Sequence, residues 1–215
     1  MKEIRDHALL YALLAKYCIE VCDKEEGERL IEKITVLYGH RRGIRMRSLS
    51  DQDGLIPDIN AYLTHGEWRG KPGENISTLK LTDDRTVSSV SKCAWYDTWK
   101  KYDLVSYGSY YCRYIDQALC EGFDGTFGLE IPGTLSGGND VCLFEWSQPA
   151  DLMNVDALRK EYGDQYIRSF DFHTEELLEC AAEILNAENR RSVLELAKQE
   201  YEKLMKSTTA ISDSY

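Results

Sequence analysis

The run Tyr111-Cys112-Arg113-Tyr114-Ile115-Asp116-Gln117-Ala118-Leu119-Cys120 sets two thiols and a carboxyl four residues apart. On a helix that spacing puts Cys112, Asp116 and Cys120 on one face. A thiol and a carboxyl one turn apart can act as nucleophile and proton acceptor, or as two ligands of a metal. Two cysteines packed as small apolar residues beside a hydrogen-bonded carboxyl meet the same spacing. A further thiol, Cys142, follows the turn Gly137-Gly138-Asn139-Asp140. Backbone N–H groups of such a turn can face a developing negative charge. A glycine turn with a sheet cysteine behind it is the plainer alternative.

One basic cluster, His40-Arg41-Arg42-Gly43-Ile44-Arg45-Met46-Arg47, stands out in an acidic chain. Its guanidinium forks suit an anionic small molecule, with Arg42 and Arg45 as the candidates. Such cations also complement a helix C-terminus. The cluster is too short and isolated to follow nucleic acid. Trp95, Trp99 and Trp146, with many tyrosines, can line an aromatic pocket or fill a core. His7, His40, His65 and His173 are scattered, and there is no H-E-x-x-H, G-x-S-x-G, P-loop or G-x-G-x-x-G motif. No cofactor is expected.

Several elements must position these residues. Ile4 to Val21 has apolar residues at three- and four-residue spacing and reads as a helix. Asp23 is an N-cap for a second helix with the stripe Leu30, Ile31, Ile34, Leu37, weakened at its end by Gly39 and Gly43. A short third helix spans 57–65, and the glycine- and charge-rich stretch 66–74 is a loop. Alternation at 76–81 and 87–93 around Asp83-Asp84-Arg85 predicts a β-hairpin. A short helix from Trp95 leads into a second, helical by spacing over 107–119. The segments 127–135 and 141–146 form another hairpin. The fold class is α+β: N-terminal helices, a four-stranded antiparallel sheet packed on helices, and a C-terminal helical extension. A domain of residues 1–149 and an extension of 150–215 follow. The last helices, with stripes Leu177, Ala181, Ile184 and Val193 to Leu204, can cap the core or pair two copies into a homodimer, and the tail after Lys206 reads as frayed.

The 215 residues are 43% hydrophobic and 29% charged, ordinary for a globular protein, and carry a net charge of −11. That charge argues against nucleic acid as a partner. No apolar run nears the roughly 20 residues a membrane span needs. Seven cysteines, an odd number without C-x-x-C and without a secretory pattern, indicate free thiols in a reducing, cytoplasmic compartment.

Four segments in one order carry a resemblance: Tyr38 to Arg47, Val90 to Trp99 with Cys93, Tyr111-Cys112 to Asp116, and Thr134 to Cys142. Together they resemble the L-2-amino-thiazoline-4-carboxylic acid hydrolase family over roughly Met1 to Gln148. The pattern is also similar, more distantly, to small-molecule-binding domains of the vinyl-reductase type. The resemblance implies that water adds to the amidine-like carbon of a thiazoline carboxylate and opens the ring to a carbamoyl-cysteine. It maps the family's Cys-x-x-x-Asp onto Cys112 and Asp116, its Gly-turn cysteine onto Cys142, and its Arg-Gly element onto Arg42 and Gly43. The Gly-Gly-Asn-Asp turn is longer than that pattern. The expected scheme makes Cys112 the nucleophile, or has it order water with Asp116. Cys142 or amides near Asn139 stabilise the adduct, Arg42 or Arg45 holds the carboxylate, and Cys93 and Trp95 complete the substrate contacts. A non-catalytic sensor, or a zinc site of Cys112, Asp116 and Cys120 or Cys142, are the competing readings.

Overall fold

The computed structural model describes residues 1–212, with side chains at 163, 164 and 208–212 left aside. The first apolar stripe folds as predicted, into α1 (Ile4–Val21), whose start is fixed by Glu3 and Asp6 capping one another's backbone. Asp23 caps α2 (Lys24–Gln52) by accepting from the Glu26 N–H. After the short α3 (Ile59–Thr64) and a loop come β1 (Ile76–Leu81) and β2 (Thr86–Lys92). Next are α4 (Ala94–Lys101), α5 (Val105–Phe123), β3 (Leu129–Gly133) and β4 (Cys142–Trp146). Then α6 (Leu152–Glu161), α7 (Phe170–Ala187) and α8 (Arg191–Ser212) close the described chain. Residues 213–215 of the tail expected to fray lie outside the described residues, while 207–212 are helical.

The fold is α+β, with four antiparallel strands in the order β1-β2-β4-β3. β3 carries Pro132 at an irregularity on the sheet edge, where a missing N–H is tolerated. β1 forms the other edge, and all six of its residues are exposed.

Gly39 and Gly43 do not weaken α2, which runs unbroken for 29 residues. They lie against α5, where a Cβ on Gly39 would come within 2.7 Å of the Ala118 Cβ. One on Gly43 would come within 2.2 Å of the Leu119 carbonyl. From α5, Gly122 meets the backbone of His40 in the same way. The glycines therefore let two helix backbones touch, a gain in contact that outweighs their roughly 1 kcal/mol cost in helix propensity. The basic cluster consequently lies inside α2 beside α5, and its last member, Arg47, donates to the Phe123 and Asp124 carbonyls at the C-terminus of α5.

One core cluster joins α1, α2, α4 and α5 to Leu177, Cys180, Ala181 and Leu185 of α7 and to Val193 and Ala197 of α8. A second gathers Met46, Tyr62, Leu119, Cys120, Phe123, Phe127 and Trp146 between α2, α3, α5 and the sheet. The last two helices thus share a core with the first. Among the described residues no helix is long and apolar enough to cross a membrane.

Candidate active site

Where α5 crosses the sheet, the two leave a cavity of about 390 Å³. Helical periodicity aims Tyr111, Cys112, Ile115, Asp116 and Leu119 into it from α5. Strand periodicity supplies the facing wall: Cys142, Phe144 and Trp146 alternate along β4, and Ser88 and Val90 along β2. The register makes these one surface, because Val90 pairs with Cys142 and Ser88 with Phe144. Arg42 enters from α2, Cys93 and Trp95 from the start of α4, and Glu67, Trp68 and Asn75 from the loop before the sheet.

Of the residues singled out in the sequence, Cys112, Asp116, Cys142, Arg42, Cys93 and Trp95 line this one cavity. Arg45 and Asn139 do not. Arg45 is held by Glu67 and by Glu176 of α7, the latter at 2.6 and 2.9 Å. Asn139 accepts from the Thr134 N–H and holds its own turn. The turn amides are likewise spent: Gly137 donates to Thr134, Gly138 to Leu135, and Leu135 to the Cys142 sulfur at 3.3 Å. Cys120 faces the second core cluster instead of the cavity. Among the described residues no three His, Cys, Asp or Glu side chains gather as a metal site would need, which removes support from the zinc reading. His7, His65 and His173 are buried and structural, and His40 pairs with Glu121.

Electrostatics separates the acid from the thiols. Burial raises the Asp116 carboxyl to about 6, against the opposing pull of the Arg42 guanidinium. The cavity still leaves it partly exposed. Burial also pushes Cys112 far above the usual thiol range, with the Ser136 hydroxyl offsetting part of this and Asp116 adding to it. Cys93 rises to about 11 and Cys142 rises too, both through burial first. At neutral pH the cavity therefore holds a carboxyl near its titration point and three protonated thiols.

Sequence reasoning missed Glu67, Asn75, Phe144 and Arg159. The alternation Cys142-x-Phe144-x-Trp146 is a signal that places Phe144 on the Cys142 face. Glu67, Asn75 and Arg159 lie far from the motif residues in the chain and carry no such signal. The side chain of Glu67 is fully buried and accepts from Arg42 Nε at 3.2 Å. The Nη groups of Arg42 have no hydrogen-bond partner among the described residues. Trp95 Nε1 and Asn75 Nδ2 are buried and unpaired. Trp146 Nε1 is also unpaired but lies beside the Cys120 thiol.

The α+β fold thus encloses an aromatic-walled cavity with a titratable carboxyl and unpaired N–H donors, features able to hold a small, acceptor-rich molecule. The sequence pattern of the L-2-amino-thiazoline-4-carboxylic acid hydrolase family matches residues 2–146, and the chain belongs to that family. No curated protein and no solved structure matches it.

Proposed function

We propose that the protein hydrolyses a small cyclic amidine carboxylate of the 2-amino-thiazoline-4-carboxylate type, opening the ring to a carbamoyl-cysteine. The observation that carries this reading is the Asp116 carboxyl, raised to about 6 inside an aromatic cavity and facing Arg42. A general base works best with a pKa near the operating pH. Family membership supplies the substrate class.

Water is the nucleophile in this reading. Moving a proton from the Cys112 thiol to Asp116 is strongly uphill, because burial raises the thiol much further than the carboxyl. The flat ring, its nitrogen protonated, lies among Trp95, Tyr111, Phe144 and Trp146. Asp116 takes a proton from water as the oxygen bonds to the carbon between sulfur and nitrogen. The Arg42 Nη groups donate to that oxygen. The adduct collapses to C=O, and the C–S bond breaks with its electron pair on sulfur. Asp116 returns its proton to the sulfur, and the adduct's hydroxyl proton leaves to solvent. Cys112, Cys142 and Cys93 act as neutral S–H groups along the wall.

Incubation with 2-amino-thiazoline-4-carboxylate, followed by mass spectrometry and thiol titration, tests this. The expected product is one water heavier and carries one new thiol. An intact ring after prolonged incubation would sink the hydrolase reading. The same protonated thiols favour a second reading, a non-catalytic sensor, whose mark is ligand-dependent stabilisation without product.

A further inference from the structure

The cavity has a second guanidinium that the sequence did not single out. Arg159 of α6 reaches the cavity wall beside Leu63 and Gly66, at the C-terminal end of α3. It belongs to the stretch beyond residue 146, where the family match ends. Its Nε and Nη2 both donate to the Leu63 carbonyl, at 3.2 and 2.8 Å. Those bonds fix the plane of the head and use two of its five N–H groups. Among the described residues no carboxylate stands within ion-pair distance of it. Asp156 is the acid close enough to favour its charge, while Arg69 and burial oppose it.

The Arg42 end of the cavity is different. Arg42 and Arg45 share Glu67, and Arg45 also holds Glu176. With Asp116 ionised, these five groups leave one negative charge over. A carboxylate placed there would face Glu67 and Asp116 in a poorly solvated space, where like charges repel strongly. At the exposed Arg159 it meets a cation with no carboxylate in ion-pair distance among the described residues, a fork fixed by Leu63 and three further N–H groups.

We infer that Arg159 is the anchor for the substrate's carboxylate, and that Arg42 serves the reacting end of the ring. The inference takes its ligand from the hydrolase reading above; the charge selectivity it assigns to the cavity does not require turnover. A carboxylate on Arg159 turns the ring so that its anionic end points toward α6. The amidine end is left for Asp116, whose negative charge suits a protonated amidine. Selection of rings that carry a carboxylate over those that lack one thus comes from a helix outside the family-matched segment.

Binding is compared by calorimetry for two probes, 2-amino-thiazoline-4-carboxylate and 2-amino-thiazoline, with wild type, Arg159→Gln and Arg159→Lys. Wild type is expected to prefer the carboxylate. Arg159→Gln is expected to bind it tenfold to a hundredfold more weakly, with little change for the ring that lacks the carboxylate. Arg159→Lys, which keeps the charge and a donor for Leu63, should recover most of the preference and keeps the test readable if the Gln variant loosens α6. Equal carboxylate affinity in wild type and Arg159→Gln would overturn the inference, as would a wild type indifferent to the carboxylate. Carboxylate preference without any product would leave Arg159 as the anchor and remove hydrolysis alone.

Discussion

Two acids face Arg42 and are treated in opposite ways. Glu67 is fully buried and locked by two guanidiniums, with Glu176 balancing the second of them. Asp116 accepts no hydrogen bond among the described residues and feels Arg42 only through space, so burial wins and its carboxyl rises to about 6. A saturated cluster of charges holds the wall of the cavity, and an unsaturated carboxyl beside it is left able to move a proton. The two neighbouring acids differ in how many partners each one has, and that difference is what the proposed roles rest on.

The sharpest way to break that contrast is Asp116→Asn, which keeps the shape and removes the proton acceptor. Turnover of the thiazoline carboxylate should fall by about 10² to 10⁴; a steady-state rate within tenfold of wild type would show that Asp116 is a bystander. On the other wall, Glu67→Ala leaves Arg42 without its hydrogen-bond partner and strips Arg45 of one of its two. Breaking a buried pair in this way typically costs about 3–5 kcal/mol, which denaturant unfolding would register. A loss below about 1 kcal/mol would mean the cluster is not a closed one.

Titration sharpens the comparison further. The Asp116 carboxyl is raised from 3.8 to about 6, so the unfolded chain loses this proton first as pH rises. Its contribution to stability is complete below pH 3.8 and is lost as pH climbs through about 6, by up to about 3 kcal/mol at 1.4 kcal/mol per unit. Asp116→Asn should therefore be more stable than wild type at pH 7.5 and lose that advantage at pH 3.5, as paired thermal melts would show. The kcat/KM of wild type should rise with pH through about 6, where Asp116 becomes able to accept a proton. The smallest effect belongs to Cys120→Ala, whose thiol lies behind Trp146 in the second core cluster and does not itself line the cavity. About 1 kcal/mol of stability should be lost from the second core cluster with turnover retained, and a hundredfold loss of rate would return Cys120 to the site.

How far the residues alone could be read differs by element. Helix and strand identity came from local periodicity: the stripe of α1, the Asp23 cap and the alternation of β1 and β2 all lie within a few residues of one another. Gly39 and Gly43 misled because a glycine in a helix reads as a break until the partner backbone is seen, and that partner, α5, is about eighty residues further on. Cys112 and Asp116 were legible as a pair because both sit on one helix. Cys142 joined them by family resemblance and by the register of β4. Arg45 and Asn139 were chemically apt, and neither reaches the cavity: Glu67 and Glu176 occupy the one, the 134–139 turn the other.

The α+β class, the positions of most elements and the face that carries Cys112 and Asp116 are all legible in the residue order, because each is a property of neighbours along the chain. Which charges are neutralised depends instead on how distant segments pack together. Glu67 reaches α2 from a loop, Glu176 reaches it from α7, and Arg159 arrives from α6 with no acid in ion-pair contact among the described residues. A pKa, a free donor or a spare cation is set by what stands within a few ångströms, and those neighbours come from parts of the chain that no spacing rule connects.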